Sequence, residues 1–121
     1  MKYMLLIYHN EQDFDCLSDA DRQALYGEYR YLIEELKSGG KFLIGDQLQA
    51  TATAKTVRLR NSKPLITDGP FAETREQLGG FFLIEANSLD EANRIAARIP
   101  SARNGSIEVR PVVAQMTSAA D

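Results

Sequence analysis

The chain has 121 residues, 44% of them hydrophobic, with fourteen basic and seventeen acidic side chains and a net charge of −3. That is enough for one domain with a modest core, and the acidity argues against a direct nucleic-acid footprint. No apolar run approaches the ~18 residues of a membrane span, and the N-terminus lacks the order of charge, apolar core and small-residue cleavage site of a signal peptide. With one cysteine, Cys16, and one histidine, His9, a protomer has no internal disulfide and no Cys/His zinc site. The expectation is a soluble cytoplasmic protein with no cofactor and no metal, a weak divalent site across protomers being the remote alternative.

Lys2–Tyr8 is predicted as a strand. Its apolar residues run continuously instead of alternating, the pattern of a strand covered on both faces. His9 to Asp15 is a polar loop. A helix starts at Ser18 as N-cap, with Asp19 and Asp21 in its first turn. It carries Leu25, Tyr29, Leu32 and Leu36 on one stripe and ends near Ser38 at Gly39-Gly40. Lys41–Gly45 is a short second strand, and Asp46–Ala54 a connection. Lys55–Arg60 alternates cleanly, turns at Asn61-Ser62 and returns as Lys63–Thr67, a hairpin whose Lys55, Arg58, Arg60 and Lys63 form a local basic surface, read as a solvated face ahead of an anion site. Thr67–Gly80 is a loop in which Asp68-Gly69-Pro70 forms a turn and Gly79-Gly80 allows a close approach by backbone or ligand. Phe81–Ala86 is a strand apolar on both faces. Ser88-Leu89-Asp90-Glu91 is a capping box that opens a helix lined by Leu89, Ala92, Ile95, Ala96 and Ile99 and stopped by Pro100. Ser106–Val112 is the last strand, and Met116–Asp121 frays.

The order is β-α-β, a hairpin, then β-α-β: an α+β, ferredoxin-like split βαβ sandwich with an inserted β-hairpin. Two helices cover one face of such a sheet. The strands at Tyr3–Tyr8 and Phe81–Ile84 are apolar on both, so the other face calls for a second copy, a homodimer.

The run DGPFAETREQLGGFFLIEA, with the opening MKYMLLIYHNE and the closing GSIEVRPV, resembles the DGPF-domain proteins of the YCII-related family. The resemblance covers residues 1–112 as a single domain, leaving 113–121 as a C-terminal tail. It implies the dimeric α+β barrel fold, in which two sheets pack face to face. It also implies an association with sigma factors, although this chain has no sigma domain. The family's His–Asp pair does not carry over. Its histidine lies in the first helix, where this chain has none, and the matching position falls near Tyr29.

The candidate chemistry is sparse. His9 stands just past a central strand and offers a general base or proton shuttle, against the plainer reading of an exposed loop histidine. Asp68 either orients His9 or binds a ligand, or it closes its own turn. Tyr29 offers a hydrogen bond in place of the family histidine, or is core. Arg75 offers a carboxylate clamp, against the plainer reading of a solvated loop charge. Glu73 and Asp46 are further ligand contacts if they face the same cleft, and solvated surface if they do not. Two function classes follow. One is a small cofactor-independent enzyme doing acid/base chemistry on a small molecule near the DGPF loop. The other is a ligand-binding or regulatory module linked to sigma-factor-dependent transcription.

Overall fold

The computed structural model describes residues 1–114; the tail expected over Met116–Asp121 lies outside the described residues. In chain order the elements are β1 (Lys2–His9), α1 (Glu11–Asp15), α2 (Asp19–Ser38), β2 (Phe42–Gln47), β3 (Lys55–Arg60), β4 (Lys63–Asp68), β5 (Gln77–Glu85), α3 (Leu89–Arg98) and β6 (Ser106–Pro111), with 3-10 turns at Thr51–Thr53 and Pro100–Arg103. The main sheet has the order β2-β5-β1-β6 with every neighbouring pair antiparallel, which is the split βαβ topology. β3 and β4 form a separate two-stranded hairpin.

Strand alternation sorts the side chains into two layers. Tyr3, Leu5 and Ile7 of β1 and Phe82 and Ile84 of β5 are buried with Leu32 and Leu36 of α2 and Ala92, Ile95 and Ala96 of α3. Ser18 and Ser88 cap their helices through the backbone N–H groups of Asp21 and Glu91, as their positions before acidic first turns predict. Glu91 also accepts from the N–H of Asn87 and from Lys41 Nζ, so the start of α3 is tied to the strand side of the domain. On the opposite face, register aligns Met4 with Leu83 and Leu6 with Phe81. Ile44 there is half exposed.

Besides one-residue shifts at strand ends, among them β1 reaching His9 and β4 reaching Asp68, four features differ from the sequence reading. Residues 11–15 form a short helix because Asn10 caps it through the N–H of Asp13. β2 continues through Asp46 to Gln47, so Asp46 is a strand residue instead of a connection. β5 begins at Gln77, four residues before Phe81, and both Gly79 and Gly80 lie within it. Leu89 is exposed, and the buried face of α3 begins at Ala92. In the two strand cases a polar or glycine-containing stretch reads as loop from local composition while pairing with a strand distant in sequence orders it.

Replacing Ser88 by alanine removes the cap of α3 and is expected to lower unfolding free energy by about 1 kcal/mol in a urea titration. An unchanged midpoint would show that Glu91 alone holds the helix start.

Candidate functional site

Among the cavities of the described residues, one of about 550 Å³ lies between the sheet and α2. That volume is in the range of small-molecule sites, roughly 300–1,000 Å³. Its floor is the sheet at Gly45, Gly79 and Gly80, its roof Ala24, Leu25 and Tyr29 of α2, its flank Phe14 and Leu17, and its end the turn at Pro100–Ser101. At the floor, backbone and rings approach the glycines too closely for side chains. A Cβ at Gly80 would stand 2.8 Å from the carbonyl oxygen of Asp46, and one at Gly45 would stand 2.8 Å from both the Phe81 carbonyl oxygen and the Phe82 ring. At those distances neither position accepts even a methyl group without movement of backbone.

Gly79 performs a different task. The pairing of β1 with β5 shifts between Ile7 and Tyr8, so that Ile7 faces Gly80, Tyr8 faces Leu78, and Gly79 is the extra residue of a bulge. The imidazole of His9 occupies the space where a Gly79 side chain would be, with Nδ1 2.8 Å from the position of the missing Cβ. On its other side the imidazole stacks on Phe14, ring centroids 5.4 Å apart. Phe14 is itself covered by the Arg22 guanidinium at 5.1 Å, which also donates to the Phe14 carbonyl at the end of α1. His9 is thus held by packing, and among the described residues its imidazole makes no hydrogen bond. Both ring nitrogens remain available to a ligand.

Tyr29 comes in from α2, packed edge-on against Phe82 at 6.2 Å, and shares a 2.6 Å hydrogen bond with the hydroxyl of Ser101. Ser101 is the one buried polar residue among those described. Burial raises the Tyr29 pKa above 10.0, partly opposed by the bonds to Ser101 and by the charge of Arg103. The phenol is therefore neutral throughout the physiological range, and the two hydroxyls form a paired donor and acceptor within an otherwise apolar wall. Charge gathers at the lining's polar side: Glu28 is paired with Arg103 at 2.6 Å, while Asp13 and Asp21 have no ion pair among the described residues.

His9, Tyr29 and Asp46 of the sequence candidates all line this cavity; Asp68, Glu73 and Arg75 do not. Asp46 stands in register with Phe81, on the layer facing away from the helices, and its carbonyl borders the floor at Gly80. Asp68 ends β4 with an exposed side chain that pairs across the hairpin with Lys55. Its turn is held instead by the backbone, Gly69 having φ +92° and its N–H bonding to the Ala54 carbonyl. Glu73 and Arg75 are exposed, and the Arg75 carbonyl accepts from Asn10. Ser101 was missed by sequence reasoning. Its only signal is its place beside the proline that ends α3.

No group of three or more His, Cys, Asp or Glu side chains suited to a metal occurs among the described residues, and no helix there is long and apolar enough to cross a membrane. The pattern of the YCII-related domain matches residues 1–116. An uncharacterized protein of Rhizobium meliloti (strain 1021) is 35% identical over 114 residues, covering 93% of this chain and 92% of its own. A solved structure, 5-chloro-2-hydroxyhydroquinone dehydrochlorinase (TftG) from Burkholderia phenoliruptrix AC1100 in complex with 2,5-dihydroxybenzoquinone, superposes with a TM-score of 0.52 at 17% identity, covering 93% of this chain and 94% of that one. At that identity it is the fold that is shared, the dimeric α+β barrel.

Two outcomes follow from this geometry. Gly79→Ala should displace the imidazole, shifting the His9 ring resonances in an NMR spectrum and costing about 1–3 kcal/mol of stability, as overpacking does; unchanged resonances would show that His9 does not depend on that space. A raised Tyr29 pKa means that the folded chain keeps a proton that the unfolded chain has released. The stabilisation is complete below pH 10 and is lost as pH rises through the folded value. Tyr29→Phe should remove this alkaline loss from a stability–pH profile, and an identical alkaline slope would contradict the assignment.

Proposed function

The chain belongs to the YCII-related family, and from that premise we propose that it binds a small uncharged hydroxylated ring in the cavity between His9 and Tyr29 and catalyses proton transfer on it. The observation that carries this reading is one cavity of ligand size holding the chain's only imidazole, with both nitrogens uncommitted, and a buried Tyr29–Ser101 hydroxyl pair. Phe14, Tyr26 and Phe82 supply flat apolar walls for a ring. The carboxylates of Asp13 and Asp21 disfavour an anion. The dehydrochlorinase that shares the fold acts on a hydroxylated ring, which supports the same substrate class.

In the proposed step His9 takes the proton of a ring hydroxyl, and the electron pair moves into the ring. The Tyr29–Ser101 pair donates a hydrogen bond to the oxygen that has lost its proton. The imidazolium then returns the proton to a ring carbon, giving the keto tautomer, so that atoms and charge balance without a co-reactant. The chain acts as a homodimer in this reading, the second copy covering the apolar sheet face around Leu6 and Phe81. The sigma-factor association implied by the resemblance finds no support in the fold or in the similar proteins.

Hydroquinone is expected to bind at least about tenfold more tightly than hydroxybenzoate in a calorimetric titration. In D2O the chain should speed deuterium entry at the ring carbons. His9→Gln should keep binding within about threefold and lose most of that exchange, on the order of 10² or more. Binding without exchange in the unaltered chain would make this a ligand-binding module, and tighter binding of the carboxylate would overturn the ligand class.

A further inference from the structure

The hairpin β3–β4 is built as an arm without a surface of its own to lie on. Cross-strand pairing sets Val57 opposite Ile66 and Leu59 opposite Pro64, which places these four on one face, while Arg58, Arg60 and Lys63 share the other. Val57, Leu59 and Ile66 are 63%, 66% and 62% exposed. A two-stranded hairpin standing alone in water is at best marginally stable, and an amphipathic one more so when its apolar face is wet. Yet its root is anchored. The Glu11 carboxylate accepts from the N–H and the hydroxyl of Thr51 just before β3, and the Glu11 N–H donates to Gln77, which opens β5 just after the hairpin's return. Between these roots the Gly69 N–H closes the base on Ala54.

We infer that this arm clasps a second copy of the chain, laying Val57, Leu59, Pro64 and Ile66 on the partner and so completing the dimer that the reading above rests on. Area singles out the second copy as the occupant. A stable interface takes about 800 Å² from each partner, and the partly shielded side chains of the open sheet face, with Leu43 and Ile44, offer roughly half of it. The hairpin's apolar face supplies roughly the other half, again on the order of 400 Å². A two-fold axis uses each arm once, so the two wet surfaces of each protomer are covered together. The other face, where Arg58, Arg60 and Lys63 stand with Leu65 and the Arg58 guanidinium lies 5.2 Å over the Phe71 ring, points away from this contact, and its charges discourage further strand pairing.

Analytical ultracentrifugation of the full chain tests the arm. Val57→Lys with Ile66→Lys should raise the dimer dissociation constant by about 100-fold or more, whereas Arg58→Glu, on the opposite face of the same hairpin, should change it by less than about threefold. A double variant that dimerises like the unaltered chain, or an Arg58→Glu chain weakened as much, overturns the inference. Hydrogen exchange on the unaltered chain gives a second readout that does not depend on a variant folding. Amides of β3 and β4 should gain protection as concentration drives dimer formation. A dimer whose hairpin exchanges as in the monomer sinks the arm and leaves the homodimer standing; a chain that stays monomeric at every concentration sinks both.

Discussion

The constraint on which the structure turns is close approach at three glycines in the floor of the cavity. There β2 and β5 present Gly45, Gly79 and Gly80. Protein interiors are close-packed, and a void of this kind persists only if its walls are held from elsewhere. They are. Phe82 is fixed edge-on between Phe42 and Tyr29, Tyr29 is tied to Ser101, and His9 fills the bulge at Gly79 under Phe14. The imidazole placement thus depends on the missing side chain at Gly79 and the close approach at the floor on those at Gly45 and Gly80, while the aromatic rings and the Tyr29–Ser101 pair wall the cavity.

The same glycines show what was legible in the sequence and what was not. Both long helices were visible, because a 3.6-residue apolar stripe and the caps Ser18 and Ser88 are local signals. The split βαβ plan followed from element order, and the antiparallel neighbourhood of β1 and β5 with it. The pair Gly79-Gly80 was visible as a place of close approach, although what approaches is an imidazole from β1 and a carbonyl from β2. Those partners lie 70 and 34 positions away, and no periodicity encodes them. Asp68 drew notice because turn punctuation is conspicuous; it turned out to continue β4 and to pair with Lys55 in solvent. Ser101 had the reverse fate. It is buried at the site, yet a single serine beside a proline carries no distinguishing pattern.

Chemically, the arrangement is economical. In the proposed reading the half-buried imidazole, with no hydrogen-bond partner among the described residues, takes and returns the proton, while the Tyr29 phenol is kept neutral by burial. The flat neutral ring proposed above rests on the carboxylates of Asp13 and Asp21 and on the aromatic walls of the cavity.

The most direct measurement of this account is a crystal structure of the chain grown with hydroquinone. One ring per protomer should sit over Gly79 and Gly80, with one and the same ring oxygen within hydrogen-bond distance of the His9 imidazole and within reach of the Tyr29–Ser101 pair. A ring bound between the two sheets instead, or a glycine-floored cavity left without it while hydroquinone occupies another site, would contradict it.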